Sequence, residues 1–336
     1  YELVKTMRAS FYVLGPLTAR FGRCRVSLPG GCNWGPRPVD MHLDALERMG
    51  AEIALEEGYI ITGGQLKGAE VHFEITSVGA TGNTLMAAAL AEGETVITNA
   101  AREPEITDLA KFLMAMGVEI EGVGTTTLRI MGQKELRGVE HTIIPDRIEA
   151  ATYLIAGALA GKSVQVKGAR EADLAAVLEK LEAAGVDLRR DEASLEVSRP
   201  DALGPVDVTT APFPGYPTDL QAQWIVLMTQ AGGQSIVRDT IYNDRFTHVP
   251  ELIRLGGQID VKGNTATVQG PTALLGAQVM STDIRASASL VLAALVADGT
   301  TEISRVYHID RGYEAIEKKF ASLGAHIERA QEAPPP

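Results

Sequence analysis

The sequence predicts an α/β fold built from repeated βαβαββ units with a period of roughly 69 residues. Two interleaved glycine series carry that prediction. In the first, an amphipathic stretch ends in Leu/Met/Ala-Gly and runs into a short strand, as in Leu46–Ile53, Leu113–Ile120, Leu181–Leu188, Leu252–Ile259 and Phe320–Ile327. Its glycines are Gly50, Gly117, Gly185, Gly256 and Gly324, spaced 67, 68, 71 and 68 apart. In the second, an Ala/Leu-rich helix, a glycine and a Val/Ile/Thr strand recur at Gly22, Gly93, Gly161, Gly233 and Gly299, spaced 71, 68, 72 and 66.

Within one unit the elements read in order. The first helix is rich in small residues, as in Ala87–Ala91 and Ser287–Ala294, and is expected to be buried on most sides. The second-series glycine is expected to end it at C′ with φ > 0. A strand follows, such as Thr95–Thr98 or Ser163–Val166. The second helix is amphipathic: Tyr313, Ile316, Phe320 and Leu323 share a face, and Glu314, Glu317, Lys318 and Lys319 lie elsewhere. After its glycine comes a strand and often a hairpin, most plainly Ile259–Val261, a turn with Gly263-Asn264, and Ala266–Val268. At this period 336 residues hold about 4.9 units, beginning inside one. Two domains are expected, residues 1–144 and 145–336.

Composition excludes several classes. With 45 % hydrophobic and 22 % charged residues the chain is not disordered. Its longest apolar run, Leu290–Ala297, is far short of a membrane span. A net charge of −12 argues against non-specific nucleic-acid or anionic-membrane binding. Two cysteines, Cys24 and Cys32, make no disulfide framework, so a reducing cytoplasm is the expected compartment. No metal-ligand cluster, Walker A or dinucleotide fingerprint appears.

Superimposing the units shows where chemistry gathers. The loop before the amphipathic helix carries Arg37, Arg102, Arg170, Arg245 and Arg311 in turn, 11 to 15 residues before each glycine. Arg102 and Arg170 read as solvated or weakly paired surface residues. Arg8, Arg37, Arg245, Arg285 and Arg311, with helix N-termini at equivalent ends, would form a local anion trap in an acidic protein. Ser77, Thr218 and Thr282 read as helix N-caps or as parts of that site. Leu28–Asp40, with its glycines and prolines, reads as a mobile loop bearing Cys32, whose thiolate Arg37 would favour. Cys24, in an alternating strand, reads as structural. Asp219 is either a general base or a first-turn carboxylate favouring the helix dipole.

Taken in order, these segments carry a pattern: Lys5–Ser10, Leu28–Cys32, Arg37–Asp40, Ala101–Glu105, Pro217–Asp219, Asn243–Phe246, Asp283–Ser289 and His308–Glu314. Over essentially its whole length the chain resembles the UDP-N-acetylglucosamine 1-carboxyvinyltransferases, the enolpyruvyl transferases that open bacterial peptidoglycan synthesis. The resemblance implies a two-domain inside-out α/β barrel with three βαβαββ units per domain. It implies two substrates, phosphoenolpyruvate and UDP-N-acetylglucosamine, and neither metal nor cofactor. It implies Cys32 as proton donor to the methylene carbon and as the fosfomycin target, Asp219 as base, and Arg37 and Arg311 on phosphoenolpyruvate with Arg245 and Arg285 in support. Arg8, Arg37, Pro38, Val39, Asp40, Met41, Ser77, Val78, Gly79, Asp219 and Ile241 would line the nucleotide-sugar site. Asp146 and Asp283 take matching positions. Asn33-Trp34 departs from the small or aliphatic residues common in that loop. The resemblance also implies an upstream segment bearing a Lys-Asn pair, and with six units required the chain is expected to be the C-terminal four-fifths of the protein. The other readings are a non-catalytic nucleotide-sugar binder and a transferase like 5-enolpyruvylshikimate-3-phosphate synthase, against which the Gly-Gly-Cys loop argues.

Overall fold

The computed structural model describes residues 8–27, 39–242 and 244–330, and side chains from residue 11 onward. The chain divides into two compact units, Tyr1–Ile144 and Pro145–Pro336.

The first unit holds two repeats. One runs from a 3₁₀ turn (Arg8–Val13) through α1 (Leu14–Phe21), β1 (Arg23–Ser27), α2 (Asp40–Arg48), β2 (Glu52–Glu56) and β3 (Tyr59–Gly63). The other is a full βαβαββ repeat: β4 (Glu70–His72), α3 (Val78–Ala88), β5 (Glu94–Thr98), α4 (Pro104–Ala115), β6 (Glu119–Glu121) and β7 (Thr127–Met131). The second unit opens with α5 (Arg147–Ala160), β8 (Val164–Lys167), α6 (Glu171–Ala183), β9 (Asp187–Asp191) and β10 (Ser194–Ser198). A full repeat follows: β11 (Val208–Thr209), α7 (Gln221–Thr229), β12 (Gln234–Arg238), α8 (Val249–Arg254), β13 (Gln258–Lys262) and β14 (Thr265–Gln269). The last repeat has β15 (Gln278–Met280), α9 (Ile284–Ala294), β16 (Glu302–Ser304) and α10 (Ile316–Ser322).

The two full repeats share one sheet topology, β4-β5-β7-β6 and β11-β12-β14-β13. In each, the first pair is parallel, with Val71 opposite Ile97 and Val208 opposite Val237, and the rest are antiparallel. The parallel pair needs a crossover, which the small-residue helix supplies. That helix is the buried one: every residue of α7 is buried, as are Ala286–Ala293 of α9 and Ile148–Leu159 of α5 apart from Glu149. The strands around them alternate, so one sheet face meets the helices and the other meets solvent, as in β12 and β14. Each unit thus carries helices inside and sheets outside.

The first-series glycines all adopt positive φ, from +86° to +109°. They follow their amphipathic helices where the chain must turn left-handed, which glycine does without steric cost. The second series departs from expectation. Gly22, Gly93 and Gly299 have positive φ, but Gly161 sits at −83° and Gly233 is not left-handed. Crowding explains them: a Cβ would lie 2.7 Å from Val164 Cγ2 at Gly161 and 3.0 Å from Pro205 Cγ at Gly233.

Three further expectations are corrected. No strand precedes α5, because the connecting segment bonds to the first unit, Arg137 N to Met116 O and His141 to Asp108. No strand follows Gly324 among the described residues, since the sequence after Ile327 lacks alternating β-formers. Leu323 is 52 % exposed, because α10 ends before it, while Tyr313, Ile316 and Phe320 are buried. Cys24 is buried on β1, where desolvation pushes its thiol up.

Candidate active site

In the second unit, the N-terminal ends of α7 and α9 hold a cluster of alternating charge. Pro217 directs the chain into a 3₁₀ turn, Thr218–Leu220, that leads into α7 and carries Asp219. One Asp219 oxygen accepts from Arg245 Nη2, and the other from Arg285 Nη2 at 3.4 Å. Arg245 and Arg285 side chains are 8 % and 18 % exposed, and Asp219 is 38 % exposed. Asp219 is therefore partly exposed, while two mostly buried cations grip it. Burial would push its carboxyl up, but Arg285 and Arg245 outweigh that and hold it well below the usual carboxylate range. Burial would lower Arg285, and Asp219 with Tyr313 reverses this.

Each arginine is anchored from behind. Arg285 Nη1 donates to Tyr313 Oη at 3.4 Å. The Thr152 hydroxyl donates to Ile148 O at 2.8 Å, so the Tyr313 hydroxyl 2.9 Å away donates to Thr152. Arg245 Nη1 donates to Thr218 Oγ1 at 2.8 Å, and Thr218 donates to Asp239 Oδ2 at 2.7 Å. Thr218 is therefore not an N-cap: its oxygen serves an arginine. Asp219 likewise spends its oxygens on guanidinium groups. Thr282 does not cap α9 either. The adjacent Asp283 does, accepting from Arg285 N at 2.8 Å and Ala286 N at 3.0 Å. Asp146 caps α5 the same way, through Ile148 N and Glu149 N. His248 is buried, and burial, with Asp283 opposing, pushes its ring down to about 4.

Ile241 sits just past the end of β12, 37 % exposed, its N–H bonded to Asp239 Oδ1 at 2.9 Å. Arg311 ends the 3₁₀ turn Val306–Arg311 and is exposed. After burial and Arg305, its charge helps push the His308 ring down. Arg170 makes the surface pair expected of it, with Asp173 at 3.2 Å, and Arg102 is half-buried.

In the first unit, Ser77 caps α3, its Oγ accepting from Ala80 N at 3.2 Å. Val78 and Gly79 open that helix. A Cβ on Gly79 would come within 3.1 Å of His42 Nε2, so a larger residue there would press on the His42 ring of α2. Asn83 Nδ2 donates to His42 Nδ1 at 3.0 Å, which leaves the ring proton on Nε2, and Asn83 Oδ1 accepts from Gly15 N at 2.7 Å. Val39, Asp40 and Met41 stand at the start of α2, with Asp40 exposed. Cys32, Arg37, Pro38, Asn243 and the Arg8 side chain lie outside the described residues.

The sequence reading missed Thr218 as an arginine anchor, and Tyr313 and Asp239 as site residues. Asp239-Thr240 directly after a strand is an Asx-turn signal. Nothing in the spacing marks Thr218 as holding an arginine, or Tyr313 as more than core. Among the described residues, no group of three or more His, Cys, Asp or Glu could hold a metal, and no helix is long and apolar enough to cross a membrane.

Comparison with known proteins places this architecture. Residues 1–320 match the family model of EPSP synthase (3-phosphoshikimate 1-carboxyvinyltransferase). The chain is 57 % identical over 332 residues to the UDP-N-acetylglucosamine 1-carboxyvinyltransferase of Chlorobium limicola, covering 98 % of this chain and 78 % of that protein. The UDP-N-acetylglucosamine 1-carboxyvinyltransferase of Chloroherpeton thalassium is also 57 % identical, over 98 % and 77 %. Among solved structures, the enolpyruvyl transferase NikO from Streptomyces tendae superposes with a TM-score of 0.89 at 29 % identity, covering 99 % of this chain and 80 % of that one. EPSP synthase from Acinetobacter baumannii shares the fold, with a TM-score of 0.74 at 21 % identity over 96 % and 79 %. The chain belongs to the enolpyruvyl transferase family, within its UDP-N-acetylglucosamine 1-carboxyvinyltransferase branch.

Proposed function

We propose that the protein transfers the enolpyruvyl group of phosphoenolpyruvate to the 3′-hydroxyl of UDP-N-acetylglucosamine, releasing phosphate, as an early step of peptidoglycan synthesis in the cytoplasm. The observation that supports this most is the Asp219 carboxylate clamped by Arg245 and Arg285. The clamp keeps Asp219 ionised, ready to accept a proton, but makes it a weak base. A ligand carrying phosphate and carboxylate competes for the two guanidinium groups, and as they turn to it the basicity of Asp219 rises. Anion binding and base activation are then one event.

In this reading the Cys32 thiol gives its proton to the methylene carbon of phosphoenolpyruvate. The sugar oxygen bonds to the adjacent carbon as Asp219 takes the hydroxyl proton. A tetrahedral adduct results. The Cys32 thiolate takes back a proton from the new methyl group as phosphate departs with the proton that Asp219 held, which restores the carbon–carbon double bond. Arg37 and Arg311 hold phosphoenolpyruvate, with Arg245 and Arg285 in support. Arg8, Arg37–Met41, Ser77–Gly79, Asp219 and Ile241 line the nucleotide-sugar site. Asp283 and Asp146 keep the helix ends in place.

The test is phosphate release with each substrate alone and with both. Release only with both is expected, and Cys32→Ala reduces it severely at neutral pH. Binding of UDP-N-acetylglucosamine without any release supports a non-catalytic binder instead. Turnover of shikimate 3-phosphate supports the other transferase activity. Covalent labelling of Cys32 by fosfomycin argues for transfer to UDP-N-acetylglucosamine.

A further inference from the structure

A buried carboxylate that the proposed reaction does not use lies directly behind the arginine clamp. Asp239, just past the end of β12, is fully buried. Its Oδ1 accepts from Thr210 Oγ1 at 2.9 Å, Ile241 N at 2.9 Å and Tyr242 N at 3.0 Å. Its Oδ2 accepts from Thr218 Oγ1 at 2.7 Å. The Asp239–Thr218 bond spans 21 residues of chain, and the Thr218–Arg245 bond spans 27. A carboxylate only accepts, so the Thr218 proton points to Asp239 and the lone pairs of Thr218 turn toward Arg245 Nη1. The Arg245 fork is planar, so with Nη1 on Thr218 its Nη2 is aimed at Asp219.

We propose that Asp239 is a positioning residue: through Thr218 it fixes the Arg245 guanidinium on Asp219 and ties that clamp to the Ile241–Tyr242 loop. Its bearing on catalysis rests on the transferase function already proposed. The relay joins a loop assigned to the nucleotide sugar with an arginine assigned to phosphoenolpyruvate. Filling one subsite therefore orients a group of the other. An amide at 239 can keep the three bonds to Oδ1, but its NH₂ meets the Thr218 oxygen as a donor. Thr218 must then turn its own proton away from residue 239, and without an acceptor to fix that proton the direction of its lone pairs toward Arg245 is no longer set.

The test uses the full chain with Asp239→Asn, Thr218→Val, Thr218→Ser and the Asp239→Asn/Thr218→Val double variant. The direct readout is the ¹⁵N spectrum of the Arg245 guanidinium, assigned by its disappearance in Arg245→Lys. Separate, slowly averaging Nη signals are expected in the unaltered chain and in Thr218→Ser. They collapse in Asp239→Asn and in Thr218→Val. The kinetic readout is kcat, expected to fall about 10- to 100-fold in Asp239→Asn and in Thr218→Val, the size of one charge-assisted hydrogen bond. The double variant should be little worse than Thr218→Val, because both changes break one relay. Thr218→Ser restores the rate. Unchanged Arg245 signals in a folded Asp239→Asn or Thr218→Val protein overturn the proposal, as do losses that simply multiply in the double variant. Should Asp239→Asn not fold, Thr218→Val, which leaves the three bonds to Oδ1 intact, decides the matter. An unaltered chain without phosphate release sinks the functional reading alone, since the guanidinium spectra still report the positioning.

Discussion

Asp219 shows how a residue's neighbours decide its chemistry. The carboxylate is half-buried, which would raise its pKa, yet Arg285 and Arg245 push it down. A carboxyl lowered in the folded state stabilises that state above its unfolded pKa, about 4, and the contribution is lost as pH falls through the folded value. Removing one cation weakens the depression. Arg285→Ala should therefore lower the melting temperature at neutral pH, with the difference from the unaltered protein shrinking below about pH 4. Melting curves between about pH 2 and 7 check this. A difference that is constant across that range means that Arg285 stabilises through packing on Tyr313 rather than through charge.

At the scale of elements, the glycines were the legible part. Their spacing could be read because left-handed backbone leaves one good residue choice, and the choice recurs wherever an amphipathic helix ends. Gly22, which ends a helix of the other series, is left-handed too: φ is +67°, its N–H bonds to Thr18 O at 2.8 Å, and a Cβ would have only Gly64 O nearby, at 3.8 Å. Gly22→Ala should cost about 1 kcal/mol from backbone strain alone, and Gly22→Asn less, since asparagine tolerates this region. Thermal denaturation of the two variants tests the order. Helix capping was half legible. Ser77 caps as read, but Thr218 and Thr282 do not, because a threonine before a helix looks the same in sequence whether its oxygen meets an N–H or an arginine. The clamp was legible as residue types, Arg245, Arg285 and Asp219. Its support by Asp239 and Tyr313 was not, since those bonds join positions that only the fold brings together.

For the whole molecule, each of the two units buries its own core, the first around Leu14, Leu46, Leu85 and Ile97, the second around Leu154, Trp224, Leu252 and Leu290. The segment from Gly132 to Asp146 that joins them has no helix or strand, and Ile143 on it is 78 % exposed, three residues beyond Glu140. A glutamate-specific protease at low dose should cut after Glu140 and release residues 141–336 as a resistant fragment, identified by mass. Early degradation of that fragment means that the second unit does not hold together unaided.

The placement of helices inside sheets has a consequence for backbone amide exchange. In most α/β proteins the central strands exchange last, shielded on both faces. Here the wholly buried α7, with α5 and α9 beside it, should hold deuterium out longest, in windows that open only when the whole unit unfolds. The outer strands β9 and β13, with mostly exposed side chains, should exchange first. The slowest-exchanging amides would then sit in the helices whose leading ends carry Asp146, Asp219 and Asp283.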